Sequence, residues 1–502
     1  MQYLLAHDLG TSGDKAVLYT VDGRVVAEVT AAYPTFYPAE RAAEQRPEDW
    51  WLAFCTATKS LLERSGCRPG DILAVSFSAQ MNSCLPVDAK GQALRPAMIW
   101  ADQRAEEQAH AMGATLGLDR VYQLTGQRLS ASYGIAKMAW FKQHEPELYA
   151  RTARFIQPKD YLICRLTGRL LSDYSDASHL ACLDLVTLSW SDEVLQAAGI
   201  DANKMPELLP STAVAGTVLA DAARACGLTA GTPVVTGGGD GPCATAGAGI
   251  YKPGQAYCSL GTSAWIATLA GQPYLDPRQR TFNLVFLDGR QVMALGAMQA
   301  AGLSLSWVLD TFFAEEQDKA RVYERMEELT GSIGAGSGGL LFLPYLMGER
   351  SPWWNANASG CFIGLRPNHR RETLLRAVME GVGYNLRLIL DALESGRRIE
   401  ALTMISGGAR NKAWLQILAD IWHKPLKMPT MLEYATSAGA AICAGIGAGV
   451  FKGLDAAAGF NPIRETLSPN PGNTAVYAQA LPRFTRAYEA LNQALFSAET
   501  VG

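Results

Sequence analysis

A repeated turn restricts the fold of this chain more than any other feature. Leu9-Gly10-Thr11-Ser12 recurs as Leu260-Gly261-Thr262-Ser263, about half a chain away. Each copy follows a short apolar strand and precedes another, giving a strand, Gly-turn, strand arrangement. One tetrapeptide says little by itself. Its shared context is what duplicated domains leave behind, two related units that each offer a backbone-rich turn to one cleft, with a boundary near residue 250. Two unrelated hairpins are the alternative. A length of 502 residues suits two domains.

Around the first copy, Tyr3 to Asp8 reads as a buried strand, Lys15 to Tyr19 as a second, and Asp22-Gly23 as a hairpin turn into Arg24 to Ala31. Pro47 at a first helical turn leads to Ser65 with Gly66 behind it, and Ile72 to Ser76 is a short apolar strand. Strands alternating with helices in this way predict an α/β fold.

Gly and Thr let backbone N–H groups and a hydroxyl approach a phosphate, and two such turns from opposite domains can hold a triphosphate. The P-loop consensus is absent, since no Gly-Lys pair occurs. Gly334-Ala335-Gly336-Ser337-Gly338-Gly339 has dinucleotide-fingerprint spacing, but it follows a helical stretch ending near Leu329 and precedes the strand-like Leu340 to Leu343. That context is inverted, so the run reads as a loop. Gly237-Gly238-Gly239-Asp240-Gly241 differs. It follows the strand Pro233 to Thr236 and leads into a small-residue helix, Ala244 to Gly249, placing one carboxylate at a strand end as a candidate base. An Asx-turn or helix N-cap is the plainer reading of Asp240.

Basic and acidic side chains number 44 and 48, for a formal charge of -4, which gives no support to a nucleic-acid or anionic-membrane partner. The opening residues Met1 to Asp8 lack a basic segment before an apolar one, so a cytoplasmic location is expected. The 10 cysteines are scattered without zinc spacing and read as buried small hydrophobes; the 6 histidines are dispersed and carry no assigned role. Ala435 to Phe451 is weakly polar but mostly Ala and Gly, which suits a helix packed close to a sheet better than a membrane span. Leu374, Val378, Val382, Leu386, Ile389 and Leu393 recur at helical spacing up to Gly396, a core face with its C-cap.

Taken in order, the motifs resemble the FGGY family of carbohydrate kinases along nearly the whole chain. Asp8 to Lys15 resembles its first phosphate hairpin and Ser259 to Ser263 its second. Glu44 to Trp51, Ser132 to Trp140 with Lys137, and Pro158-Lys159-Asp160-Tyr161 resemble landmarks of its first domain, and Gly237 to Asp240 its catalytic loop. Tyr345 to Pro352, Ser406 to Asn411 and Ala413 to Gln416 complete the match.

The resemblance implies two actin-like (ribonuclease H-like) domains around a central cleft where ATP and a sugar meet. Residues 1–249 would form a sugar-binding and catalytic domain and 250–502 a nucleotide-binding one. It implies Asp240 as the base for the sugar hydroxyl, and Asp8 as the ligand of Mg²⁺. It further implies Thr11, Ser12, Lys15, Gly261 and Thr262 at the phosphates, and Gly407, Gly408, Ala409 and Asn411 along the adenosine. No nucleic acid or membrane is implied, and a homodimer is compatible with it.

Within the family the xylulokinase branch is most similar. Gln80-Met81-Asn82 stands where that branch has Gln-Met-His, and Trp100-Ala101-Asp102-Gln103-Arg104 where it has Trp-Asn-Asp-x-Arg. Asn82 and Ala101 are departures where a sugar is read. The expected acceptor is D-xylulose, with L-xylulose, ribulose, glycerol or erythritol as alternatives, and an actin-like ATPase without a sugar as a reading of another class. Asn82 could equally be a turn residue, and Trp100 a core residue instead of a sugar platform. Glu349-Arg350 is expected to brace its loop as an ion pair.

Overall fold

A computed structural model describes residues 1–315, 323 and 325–497. Two seven-stranded sheets form its framework. In the first, Tyr3–Leu9 pairs antiparallel with Gly13–Thr20, which pairs antiparallel with Val25–Ala32, while Tyr3–Leu9 runs parallel to Ile72–Ala79. The second repeats these senses. Ala256–Leu260 pairs antiparallel with Ala264–Ala270, that strand pairs antiparallel with Val292–Met298, and Ala256–Leu260 runs parallel to Leu402–Ile405. The tetrapeptide repeat therefore marks equivalent turns in two sheets of the same construction, which is the two-domain actin-like architecture.

Local signals explain the elements near the site. The helix Pro47–Ser65 starts on its proline, carries Glu48 and Asp49 in its first turn, and ends on Gly66 in the left-handed region at φ 62°. The helix Arg371–Leu393 buries Val378, Val382, Leu386, Ile389 and Leu393. Its C-cap is Glu394, and Gly396 lies beyond it in the following turn.

The two lobes share a core. Leu4, Ala6, Val17 and Tyr19 of the first sheet cluster with Tyr257, Ala267 and Ile405 of the second and with the helices Asp240–Gly247 and Ala435–Gly447. Those helices meet backbone to backbone. A Cβ on Gly247 would lie 1.8 Å from the Ala435 carbonyl oxygen, and one on Gly439 would lie 2.1 Å from that of Cys243. Small side chains in Ala435–Gly447 thus serve close packing against the other helix and the first sheet, as the sequence suggested. Among the described residues no helix is long and apolar enough to cross a membrane. All cysteines but the half-buried Cys361 are buried, and all are free.

Candidate active site

The first turn is built to stay rigid. Asp8 pairs in register with Lys15, so the two side chains stand on one face of the sheet. Below the turn, Gln45 Nε2 donates to the Thr11 carbonyl at 2.7 Å, while Gln45 Oε1 accepts from Trp50 Nε1 at 2.9 Å and from Gln80 Nε2 at 2.8 Å. Gln80 therefore acts on the turn through Gln45. Trp100 Nε1 donates to Thr11 Oγ1 at 2.9 Å, and the residue is 40% exposed, so Trp100 stands over the first turn and is not a core residue. Lys15 Nζ sits 3.1 Å from Glu28 and 4.2 Å above the Tyr434 ring, which commits its charge to the contact between lobes.

The segment after the Ile72–Ala79 strand forms a wall beside the first turn. Asn82 adopts φ 60°, a left-handed conformation that Asn tolerates, so its turn role is real. Its Oδ1 and the Oε1 of Gln80 are nonetheless buried without a hydrogen-bond partner, two acceptors available to ligand hydroxyls. Lys137, fully buried, donates to the carbonyls of Asn82 at 2.8 Å and Ile99 at 2.7 Å and so ties the 80–82 segment to the residue preceding Trp100. Burial pushes its ammonium down to about 7. Asp102, also fully buried, accepts from Ala43 N at 2.9 Å and from Arg104, which also reaches Glu44 at 2.5 Å, so this pair braces the wall.

The glycine loop brings Asp240, the candidate base, to that wall. Gly238 and Gly239 pair with Ser78 and Ala79 as a short parallel strand. Gly237 has φ 66°, and a Cβ there would lie 2.0 Å from the Phe77 carbonyl oxygen, so no other residue fits. A Cβ on Gly239 would lie 2.4 Å from Met81 Sδ, which puts Met81 directly against the loop. Asp240 is the first residue of the helix Asp240–Gly247, with Gly239 as N-cap, and its Oδ1 accepts from Gly241 N at 2.7 Å. Asp240 is exposed, yet protein atoms pack closely around its carboxyl group. That desolvation, with the charge of Asp8 second, pushes its carboxyl up to about 6. Asp8 is likewise raised by burial, opposed by the Thr436 hydroxyl, which donates to its Oδ2 at 2.5 Å.

On the other lobe a cavity of about 590 Å³ opens beside the second turn. Gly261, Thr262, Gly407, Gly408 and Asn411 line it, five of the residues expected at the nucleotide; Ala409 lies buried beneath. Thr11 and Ser12 belong to the facing lobe and do not line it. The sequence reading missed Gly302 and Tyr323 and gave no individual role to Arg410 and Trp414, all of which also form its walls. The helix Gly302–Phe312 starts at the turn, where Gly302 N donates to the Gly261 carbonyl at 2.9 Å. Asn411 Oδ1 accepts from Trp414 N at 2.9 Å, capping the helix Lys412–Trp422, so its side chain shapes the wall. Gly408 passes so close to the end of the Ala256–Leu260 strand that a Cβ would lie 2.6 Å from the Leu260 carbonyl oxygen.

One expectation is corrected. Glu349 makes no ion pair with Arg350; it accepts from Gln299 N at 2.9 Å, Arg350 N at 2.7 Å and Asn385 Nδ2 at 3.1 Å. It is buried, and its loop places backbone donors, not the guanidinium, around it; burial pushes its carboxyl up to about 8.

Residues 3–247 match the N-terminal domain, and residues 256–448 the C-terminal domain, of the FGGY family of carbohydrate kinases. A xylulose kinase of Bacillus subtilis (strain 168) is 34% identical over 99% of both chains, and a gluconokinase of the same organism is 30% identical over 96% of this chain and 94% of its own. The solved structure of ligand-bound xylulose kinase from Lactobacillus acidophilus superposes with a TM-score of 0.92 at 28% identity, covering 99% of each chain.

Proposed function

The chain belongs to the FGGY family of carbohydrate kinases and is a sugar kinase, and from that premise we propose that it transfers the γ-phosphoryl group of ATP to D-xylulose, giving D-xylulose 5-phosphate. The observation that carries the chemistry is the position of Asp240, an exposed residue at the head of a helix, on a loop packed against Met81. A carboxylate with its carboxyl near 6 is largely ionised at neutral pH yet basic enough to take a proton, the condition for a general base contributing about 10² to 10⁴ in rate.

In this reading the sugar lies along Trp100, Gln80 Oε1 and the 81–82 segment, with its reacting hydroxyl at Asp240. The nucleotide occupies the cavity walled by Thr262, Gly408 and Trp414, its phosphates pointing toward the two turns. Division at residue 249/250 then separates acceptor from donor. Mg²⁺ keeps several waters and takes one or two protein carboxylates with substrate phosphates, and Asp8, in register with Lys15 beside the first turn, would hold it. When bound, Mg²⁺ offsets charge on the phosphoryl group in transfer.

D-gluconate is the second reading, favoured by the gluconokinase relative and by Asn82 and Ala101, which change the sugar wall relative to xylulokinases. Steady-state kcat/KM with D-xylulose, D-gluconate, L-xylulose, ribulose, glycerol and erythritol decides between them. D-xylulose is expected to lead. A tenfold preference for gluconate would replace the substrate and keep the chemistry, whereas ATP use indifferent to every acceptor would remove the reading altogether.

A further inference from the structure

Behind the glycine loop lies a buried polar chain that touches neither cleft nor solvent. Lys159 Nζ, fully buried, is 2.6 Å from Asp160, 2.8 Å from Asp173 Oδ1 and 3.2 Å from Asp176. The other oxygen of Asp173 accepts the hydroxyls of Ser175 and Ser211, each at 2.5 Å, and the Ser175 N–H at 2.9 Å. Because the Ser175 proton is given to Asp173, its lone pairs are free to accept, and they accept the Gly239 N–H at 3.1 Å. The second anchor is Gly237 N, which donates to the Ser211 carbonyl at 2.9 Å.

We infer that Lys159, Asp173 and Ser175 are positioning residues for the proposed base: they fix the peptide of Gly239, and with it the direction in which the next residue, Asp240, leaves the loop. Three observations converge on this. The hydroxyl donates its proton to Asp173, so an N–H is the only backbone group it can satisfy there. The loop has no slack, since a Cβ on Gly238 would lie 2.7 Å from Ser175 Oγ. Lys159 holds Asp173 from the far side: its fully buried ammonium lies 2.8 Å from Asp173 Oδ1, and although burial opposes its charge, the surrounding carboxylates outweigh burial and hold it well above the usual lysine range. A catalytic carboxylate displaced by about 1 Å loses on the order of a hundredfold in rate, which is why the loop needs an anchor.

This inference rests on Asp240 being the base, and a double-mutant cycle separates the two claims. Ser175→Ala, Asp240→Asn and the double variant are compared by kcat, sugar KM and ATP binding, with hydrogen exchange of the 236–243 backbone. Ser175→Ala is expected to lower kcat at least about tenfold with sugar KM and ATP affinity within about twofold, to speed exchange at the loop, and to have no further effect once Asp240 is Asn. Ser175→Cys keeps the side chain's size with a poor acceptor and carries the same test if the alanine variant does not fold. A kcat within twofold of wild type in either variant, or an equal loss in both Asp240 backgrounds, overturns the positioning role. If Asp240→Asn alone leaves activity near wild type, the base assignment fails and the inference falls with it.

Discussion

The Thr436 hydroxyl donates to Asp8 Oδ2 at 2.5 Å although 428 residues of chain separate them. Thr436 stands in the first turn of Ala435–Gly447, the helix that packs on the first sheet, so a C-terminal helix completes the surroundings of an N-terminal carboxylate. Hydrogen bonding to the charged form lowers a pKa, and here it opposes the larger effect of burial. Thr436→Val is expected to raise the Mg²⁺ concentration for half-maximal turnover several-fold and to move the loss of activity at low pH to higher pH. Sugar KM should stay within twofold. A Mg²⁺ titration superimposable on wild type contradicts the role given to Asp8.

The pH dependence of kcat/KM for the sugar reports the free enzyme's base. A carboxyl raised to about 6 must be deprotonated to accept the hydroxyl proton, so activity is expected to rise with pH through about 6 and level off above it. An acidic limb near 4 would mean that Asp240 is solvated like an ordinary surface carboxylate.

Lys137 offers a stability test as well as a kinetic one. Its folded ammonium titrates at about 7, below the unfolded value, so between those two pH values the unfolded chain binds more protons and stability rises with pH. Relative to Lys137→Met, the wild type should gain on the order of 1 kcal/mol per pH unit from pH 7 upward, read by denaturant unfolding. The methionine also loses both carbonyl contacts, so sugar KM should rise about tenfold or more while ATP KM does not change.

Gly408 tests the nucleotide cavity. Because a Cβ there meets the Leu260 carbonyl oxygen at 2.6 Å, Gly408→Ala must shift the wall that carries the second turn. The expected result is an ATP KM raised about tenfold with sugar KM unchanged. The reverse split would move the cavity from donor to acceptor.

Local chemistry made much of this fold legible. The Gly-turn repeat, the Pro47 start and Gly66 stop, and the glycine run before Asp240 all encode backbone geometry in adjacent residues, and each lies where the sequence places it. What stayed hidden depends on residues far apart in the chain. Gly302, Tyr323 and Trp414 reach the cavity only when separate segments of the chain converge on the second turn. Lys159 was visible only as part of a landmark, because its partners Asp173 and Asp176 arrive from a later strand and helix. The expected Glu349–Arg350 pair shows the opposite error. Adjacent opposite charges suggested a bridge, whereas the fold surrounds the carboxylate with backbone and amide N–H donors.

Asp240→Asn with D-xylulose and ATP is the most direct test, measured as sugar phosphate formed per enzyme alongside ATP binding by calorimetry. The amide keeps the size and the neighbouring N–H contact but cannot take the hydroxyl proton. Phosphorylation is expected to fall at least about a hundredfold with ATP affinity within twofold of wild type. Phosphorylation within a few-fold of wild type, with ATP bound normally, contradicts Asp240 as the base.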